Sequence, residues 1–154
     1  MEKNTDLTAL LAKIAPQGEV VQGNQFPELT ISAGQLFEIA EKLKNCKEVP
    51  FDFLMDLTAI DFETKFTVVY HLESTKTHDV VVLRTDLPDR NHAEVETVSG
   101  LWPAAEFMER EVFDLFGIRF KNHHDLRRLF MEDDYGHPLR KDFKDDINLI
   151  EYPN

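Results

Sequence analysis

Cysteine is almost missing from this chain of 154 residues, with Cys46 standing alone. One thiol excludes an internal disulfide, a CxxC redox pair and a thiolate set for an iron–sulfur cluster. Its setting, Lys44-Asn45-Cys46-Lys47-Glu48, carries no nucleophile signature, so a plain buried or half-buried thiol is expected. Basic residues are also short, 17 Lys and Arg against 29 Asp and Glu, for a net charge of −12. Phosphate backbones and anionic lipid surfaces are held by clustered cations, so nucleic acid and a polybasic membrane anchor are both excluded. Apolar runs stay far below the roughly 18 residues that cross a bilayer. The start, Met1-Glu2-Lys3-Asn4-Thr5-Asp6, has neither the apolar core of a secretory signal nor the Arg-rich character of a transit peptide. A cytoplasmic protein is expected, one that meets a membrane only through a partner.

What is abundant is phenylalanine, 12 against one Trp and three Tyr. Phe buries area without a polar tip that needs a partner, which suits cores and dry interfaces. The charge is uneven: residues 1–116 carry 21 acids and 10 bases, and residues 117–154 carry 8 and 7.

Periodicity organises the first two-thirds of the chain. Leu7, Leu10, Leu11 and Ile14 recur at helical spacing until Pro16 and Gly18 stop them. Val20-Val21 and Leu29-Thr30-Ile31 read as short strands. Ser32-Ala33-Gly34-Gln35 has the form of a capping box ahead of a helix whose inward stripe is Leu36, Ile39, Ala40 and Leu43. Phe51, Phe53, Met55 and Leu57 alternate with Asp52, Leu54, Asp56 and Thr58 as a strand, and Glu63-Thr64-Lys65 turns it into Phe66–Leu72 as a hairpin. Val80–Leu83 is apolar throughout, as a central strand covered by helices would be. Pro88-Asp89-Arg90-Asn91 is a loop. No repeat or linker divides the chain. The expected fold is a single α+β domain, helices on a mixed and largely antiparallel sheet. It spans 1–120, and an extended C-terminal tail over 121–154 docks on partner chains.

Pro103 and Gly117 bracket a further helix with Leu101, Ala105, Met108, Val112, Leu115 and Phe116 on one stripe. Glu106, Arg110 and Asp114 alternate in sign at i,i+4 on the other side and read as a solvated ion-pair ladder. Phe107 and Phe113 do not fit a surface helix, and point to a helix packed on more than one side by its own tail or by another subunit. The carboxylates Glu109, Glu111 and Asp114 have an arginine beside them and no His or Ser at a useful spacing, so the ladder outranks acid–base catalysis. The tail's apolar residues come in ones and twos, too few for a core. Its Arg127, Arg128, Arg140, Lys141 and Lys144 flank the acidic run Glu132–Asp134. Such arginines can pair with carboxylates of the domain or of a partner, so charge reversal at Arg127 or Arg140 is expected to harm assembly more than stability. His123, His124, Asp125 and His137 raise a metal site, but their spacing does not order them on one face, and ordinary hydrogen bonding is expected.

Two long stretches then resemble a known family. Glu109-Arg110-Glu111-Val112-Phe113-Asp114-Leu115-Phe116-Gly117-Ile118-Arg119-Phe120 with His123-x-x-Leu126-Arg127-Arg128-Leu129 is similar to the signature of the 30 kDa subunit of respiratory complex I, called the C subunit of NADH–quinone oxidoreductase in bacteria. Gly136-His137-Pro138-Leu139-Arg140-Lys141-Asp142-Phe143 resembles the family's second hallmark, and Trp102-Pro103-Ala104-Ala105 also fits. The chain departs from it with His124, where many members have Pro, and with Phe107, where Trp is common. Eleven residues follow Phe143, so the long extension of mitochondrial members is not expected.

The resemblance implies a subunit of the peripheral arm, on the cytoplasmic side of the inner membrane, in a complex that passes electrons from NADH to quinone and moves protons. It implies no catalytic residue, metal or cofactor in this chain, with flavin and iron–sulfur clusters in partner subunits. It also implies partners of the 49 kDa type (the D subunit) and the B and I subunits. The motif residues Glu109, Arg110, Glu111, Asp114, Phe116, Gly117, His123, Arg127, Arg128, His137, Pro138, Arg140, Lys141 and Asp142 would form the partner interface. Membrane-bound hydrogenases, formate hydrogenlyases and photosynthetic-type complexes carry similar chains. A stand-alone metallohydrolase and an acidic polyanion mimic are the rivals from other classes.

Overall fold

The computed structural model describes residues 6–145. Helix α1, Leu7–Ile14, starts where the Asp6 carboxylate accepts the N–H groups of Thr8 and Ala9, and it buries Leu10 and Leu11. Strands β1 (Glu19–Gln22) and β2 (Pro27–Ser32) follow, then a 3-10 turn over Ala33–Gln35 and helix α2, Leu36–Lys44. The expected stripe Leu36, Ile39, Ala40 and Leu43 is buried. The capping box does not form. Ser32 Oγ donates to Gln35 Oε1 at 3.0 Å and caps no amide, because the 3-10 turn lies between Ser32 and the helix.

Strands β3 (Phe53–Asp61), β4 (Phe66–Glu73) and β5 (Val80–Leu87) complete a sheet of order β1-β2-β5-β4-β3. The β2–β5 pairing is parallel and the other three are antiparallel, so the sheet is mixed and largely antiparallel, as expected. Val80–Leu83 does lie in the central strand, but the described helices share a core with only one of its faces. Leu29, Leu57, Phe66, Val68, Tyr70, Leu72, Val81 and Leu83 share that face and the core with the helices. Val69 and Val82 lie on the other face, buried outside that core beside Arg84 and His71. Strand β3 also departs from strict alternation. The pairing with β4 slips between Leu54 and Asp56, and this bulge turns Phe53 and Met55 outward while Leu54 and Leu57 go in.

After β5 the chain forms β6 (Glu94–Glu96), α3 (Ala105–Phe116) and β7 (Arg119–Lys121), with β6 and β7 parallel. The two strands have three residues each, too short to show a period. α3 packs on β3, burying Ala105, Val112 and Phe116, and Trp102 Nε1 donates to the Phe51 carbonyl at 3.2 Å. Gly117 ends α3 with φ 77°, a conformation that favours glycine. A Cβ there would meet the His137 ring at 2.8 Å. From 122 to 145 no helix or strand forms, yet this segment is fastened to α3 along its length.

Candidate functional site

The ladder of Glu106, Arg110 and Asp114 is not formed, although its spacing is ideal. Arg110 and Asp114 turn inward, with relative exposures of 4% and 0%. Their partners lie in the tail and, the Arg128 side chain apart, are backbone groups, which carry no pattern in sequence. Arg110 spans two carbonyls, donating Nε to Arg127 and a terminal nitrogen to Arg128, both at 3.1 Å. Asp114 gathers four donors. Oδ1 takes Nε–H of Arg128 at 2.6 Å, and Oδ2 takes the amides of Leu129, Phe130 and Met131 at 3.1, 2.6 and 3.1 Å. Burial alone would push this carboxyl up, but the Phe130 amide, Arg128 and the other two amides outweigh it and hold it below its usual range. The carboxylate therefore stays charged inside the protein, and it acts as the mould for a turn of the tail.

The same segment caps the helix. The last carbonyls of an α-helix have no partner within it and carry its negative end. Gly117 N–H satisfies Phe113. Arg128 at 3.1 Å and His137 Nδ1 at 2.9 Å both donate to the Asp114 carbonyl, Leu139 N–H donates to Leu115 at 3.0 Å, and Arg140 reaches Phe116 at 3.5 Å. Arg128 also holds the carbonyls of Tyr135 and Gly136. Cations thus sit where the helix dipole wants them. Phe113 finds its second packing partner here, tilted against His137 at 6.5 Å, whereas Phe107 remains exposed with the Arg110 guanidinium 5.7 Å from its ring centre.

A second fastening, unforeseen in sequence, joins the tail to the sheet. Asp61, at the buried end of β3, accepts Arg90 at 2.6 Å, the Lys141 amide at 2.9 Å and the Glu63 amide at 2.8 Å. Arg90 also reaches Asp142 at 3.4 Å. The guanidiniums of Arg90 and Arg140 lie 4.9 and 5.1 Å from the Phe66 ring centre. Arg140 is bound in this knot and to Asp142 at 3.0 Å, so its reversal would damage the chain itself, contrary to the expectation from sequence. Arg127 differs: its side chain is 67% exposed and, among the described residues, is paired only with Asp125.

Glu109 occupies a third position, fully buried where α3 meets the loop after β6. It accepts the Val98 amide at 2.8 Å and the Thr97 hydroxyl at 2.5 Å. Burial drives its carboxyl up to about 7, with Glu96 adding to the rise and the two hydrogen bonds opposing it. Among the described residues the buried Tyr70 hydroxyl has no hydrogen-bond partner, and it is also pushed upward, by burial and then by Glu109. His123 donates through Nε2 to the Glu106 carbonyl at 3.0 Å, accepts the Asp125 amide on Nδ1 at 3.0 Å and stacks on His124 at 5.3 Å. Both its nitrogens are used. Among the described residues no group of three or more His, Cys, Asp and Glu is placed for a metal.

The motif residues thus fall into two sets. Glu109, Arg110, Asp114, Phe116, Gly117, His123, Arg128, His137 and Arg140 are used inside the chain, holding α3, tail and sheet together. Glu111, Arg127, Lys141 and Asp142 reach solvent, Pro138 is half-buried, and Phe130 and Leu139 stand beside them at 64% and 53% exposure. Sequence reasoning missed Asp61, Arg90 and Phe66. Asp61 closes a strand and Arg90 lies in a loop, and neither has a periodic partner.

No described helix is long and apolar enough to cross a membrane. Residues 29–147 match the family model described as respiratory-chain NADH dehydrogenase, 30 Kd subunit. The NADH-quinone oxidoreductase C subunit of Moorella thermoacetica is 42% identical over 137 residues, covering 87% of this chain and 90% of that one. The NADH-quinone oxidoreductase C/D subunit of Phocaeicola vulgatus is 44% identical over 128 residues, and the match spans 82% of this chain but 24% of that longer protein. Among solved structures, a chain of the membrane-bound sulfane sulfur reductase, an archaeal respiratory membrane complex, superposes with TM-score 0.78 and 28% identity over 93% of this chain and 86% of its own. The family model and the Moorella relative each cover most of the chain, and it belongs to the family of the respiratory-chain NADH dehydrogenase 30 Kd subunit.

Proposed function

We propose that this chain is a bracing subunit of the peripheral arm of an NADH–quinone oxidoreductase, which holds neighbouring subunits in place and carries no electrons itself. The observation that carries this reading is the use made of its ionisable residues. The charged groups most suggestive of chemistry, Asp114, Arg110 and Arg128, are spent on moulding an irregular strap against α3. The strap's outer side then offers Arg127, Phe130 and Leu139 to a neighbour. The relatives support the assembly: one is named as a C subunit, and another bears the joint name C/D, which favours the 49 kDa-type D subunit as the neighbour of the tail. The B and I subunits are the further partners, and flavin and iron–sulfur clusters belong to other chains. Association with the membrane is peripheral, from the cytoplasmic side.

A second reading keeps the role and changes the complex. The likeness to a chain of the sulfane sulfur reductase favours a related membrane assembly with another electron donor. Affinity purification of the tagged chain from its native membranes tests both. Attached chains that include an NADH-binding flavoprotein support the first reading, and their replacement by another oxidoreductase module supports the second. A chain purified alone, or one with its own flavin or cluster absorbance, overturns the bracing role.

A further inference from the structure

The two edges of the five-stranded sheet are built differently. β1 has four residues and is fringed by Glu19 and Gln22, the short polar edge that proteins use to prevent unwanted pairing. β3 has nine, with no proline or lysine in the strand. Beyond its bulge, Asp56 to Asp61 pairs with β4 without interruption, a run of ordinary strand length whose outer side turns alternate N–H and C=O groups away from β4. Among the described residues, no hydrogen bond reaches that outer side of β3. Among the described residues, the tail's hydrogen bond to the strand is at its end, from the Lys141 amide to Asp61.

Exposed apolar residues gather along the same edge. Phe53, Met55, Ile60 and, just past the strand, Phe62 are exposed by 49, 43, 39 and 42%. Isolated apolar residues on a surface are ordinary, but four along one open strand form a row. Carboxylates fringe it, Asp56 within and Glu63 at the turn. The described cations beside it are already engaged, Lys65 by Asp86 at 2.6 Å, Arg90 by Asp61 at 2.6 Å and Lys141 by Glu63 at 3.7 Å, which leaves Asp56 as the open carboxylate of the row.

We propose that β3 is a docking edge that accepts an extended segment of another polypeptide of the assembly as a sixth strand. The open backbone selects a strand, the row selects alternating apolar side chains, and the Asp56 carboxylate selects Lys or Arg beside it in that segment. The inference rests on the assembly role proposed above and adds a surface remote from the strap.

The test compares amide hydrogen exchange in the full chain alone and in the complex purified through it, and then examines the double variant Thr58→Lys/Ile60→Lys. Both positions are solvent-exposed, so the free variant should keep its circular dichroism and melting temperature. Outward amides between residues 56 and 61 should exchange more slowly in the complex by about tenfold or more. The variant should be retained in the complex at roughly a tenth of the wild-type level or less. Equal exchange in the free and assembled chain overturns the docking edge, even where the wild type brings down its partners and the assembly role stands. A wild-type chain that brings down no other polypeptide instead removes the assembly role itself. Sedimentation of the free wild type as a dimer that the variant abolishes would assign the edge to a second copy, and would equally overturn the proposal.

Discussion

Asp114→Asn takes one charge from the place where strap and helix meet, and changes almost nothing in volume. In the wild type both carboxylate oxygens accept, Oδ1 from Arg128 and Oδ2 from three successive amides. An asparagine has one acceptor oxygen, so its NH2 group must face either Arg128 or the three N–H groups, donor against donor. Hydrogen bonds to a charged acceptor contribute about 1.5–3 kcal/mol each, and breaking a buried pair costs about 3–5 kcal/mol. Arg128 keeps its carbonyl partners, which limits the damage, so a loss of about 3 kcal/mol is expected. The loss falls on the strap, because the carboxylate's donors are all tail groups. Hydrogen exchange at Leu129, Phe130 and Met131 should accelerate about a hundredfold, while β4 and β5 amides keep their protection. Salt should change this little, since the pair is buried. Unchanged exchange at those three amides would refute the account of Asp114 as the mould of the strap.

Glu109 predicts a pH dependence of opposite sign to that of Asp114. Its folded pKa, about 7, lies above the ordinary 4.5, so the folded state holds a proton that the unfolded state has released. Stability should fall as pH rises from about 4.5 to about 7, by about 3 kcal/mol at most, and Glu109→Gln should flatten the profile of melting temperature in that window. Asp114, held below its usual value, contributes stability that is present at neutral pH and lost on acidification below about 4, and Asp114→Asn should remove that acid limb. Gly117→Ala forces a side chain into positive φ and against the His137 ring, so a loss of about 2 kcal/mol is expected, read as a drop of roughly 6 °C in calorimetry. Arg127→Glu should leave the melting temperature of the free chain nearly unchanged and reduce the yield of complex on native gels. Arg140→Glu should lower both, because that guanidinium also holds Asp142 and the Phe66 ring.

Much of the fold could be read from the order of residues. Helix α2 announced itself through Leu36, Ile39, Ala40 and Leu43, and the hairpin through its turn at Glu63–Lys65, because local periodicity and turn chemistry act over a few residues. Gly117 was legible for the same reason: a helix that stops at a left-handed residue favours glycine. The long motifs also identified the family, although they did not disclose what their residues touch. Strand β3 misled through its bulge, a one-residue slip that inverts the faces of Phe53 and Met55 and that alternation cannot foresee.

The roles of Arg110, Asp114 and Glu109 were decided only in three dimensions. Charges at i,i+4 on a helix look solvated when their partners are sought on the same helix. For Arg110 and Asp114 the partners, the Arg128 side chain apart, are backbone amides and carbonyls 15 to 18 residues further along, and every residue but proline has those groups in the same form. Such a bond leaves no trace in side-chain spacing. The bond from the Lys141 amide to Asp61, across 80 residues, was invisible for the same reason. Local chemistry wrote the elements into the sequence, and the burial of charge against unpatterned backbone had to wait for the packed chain.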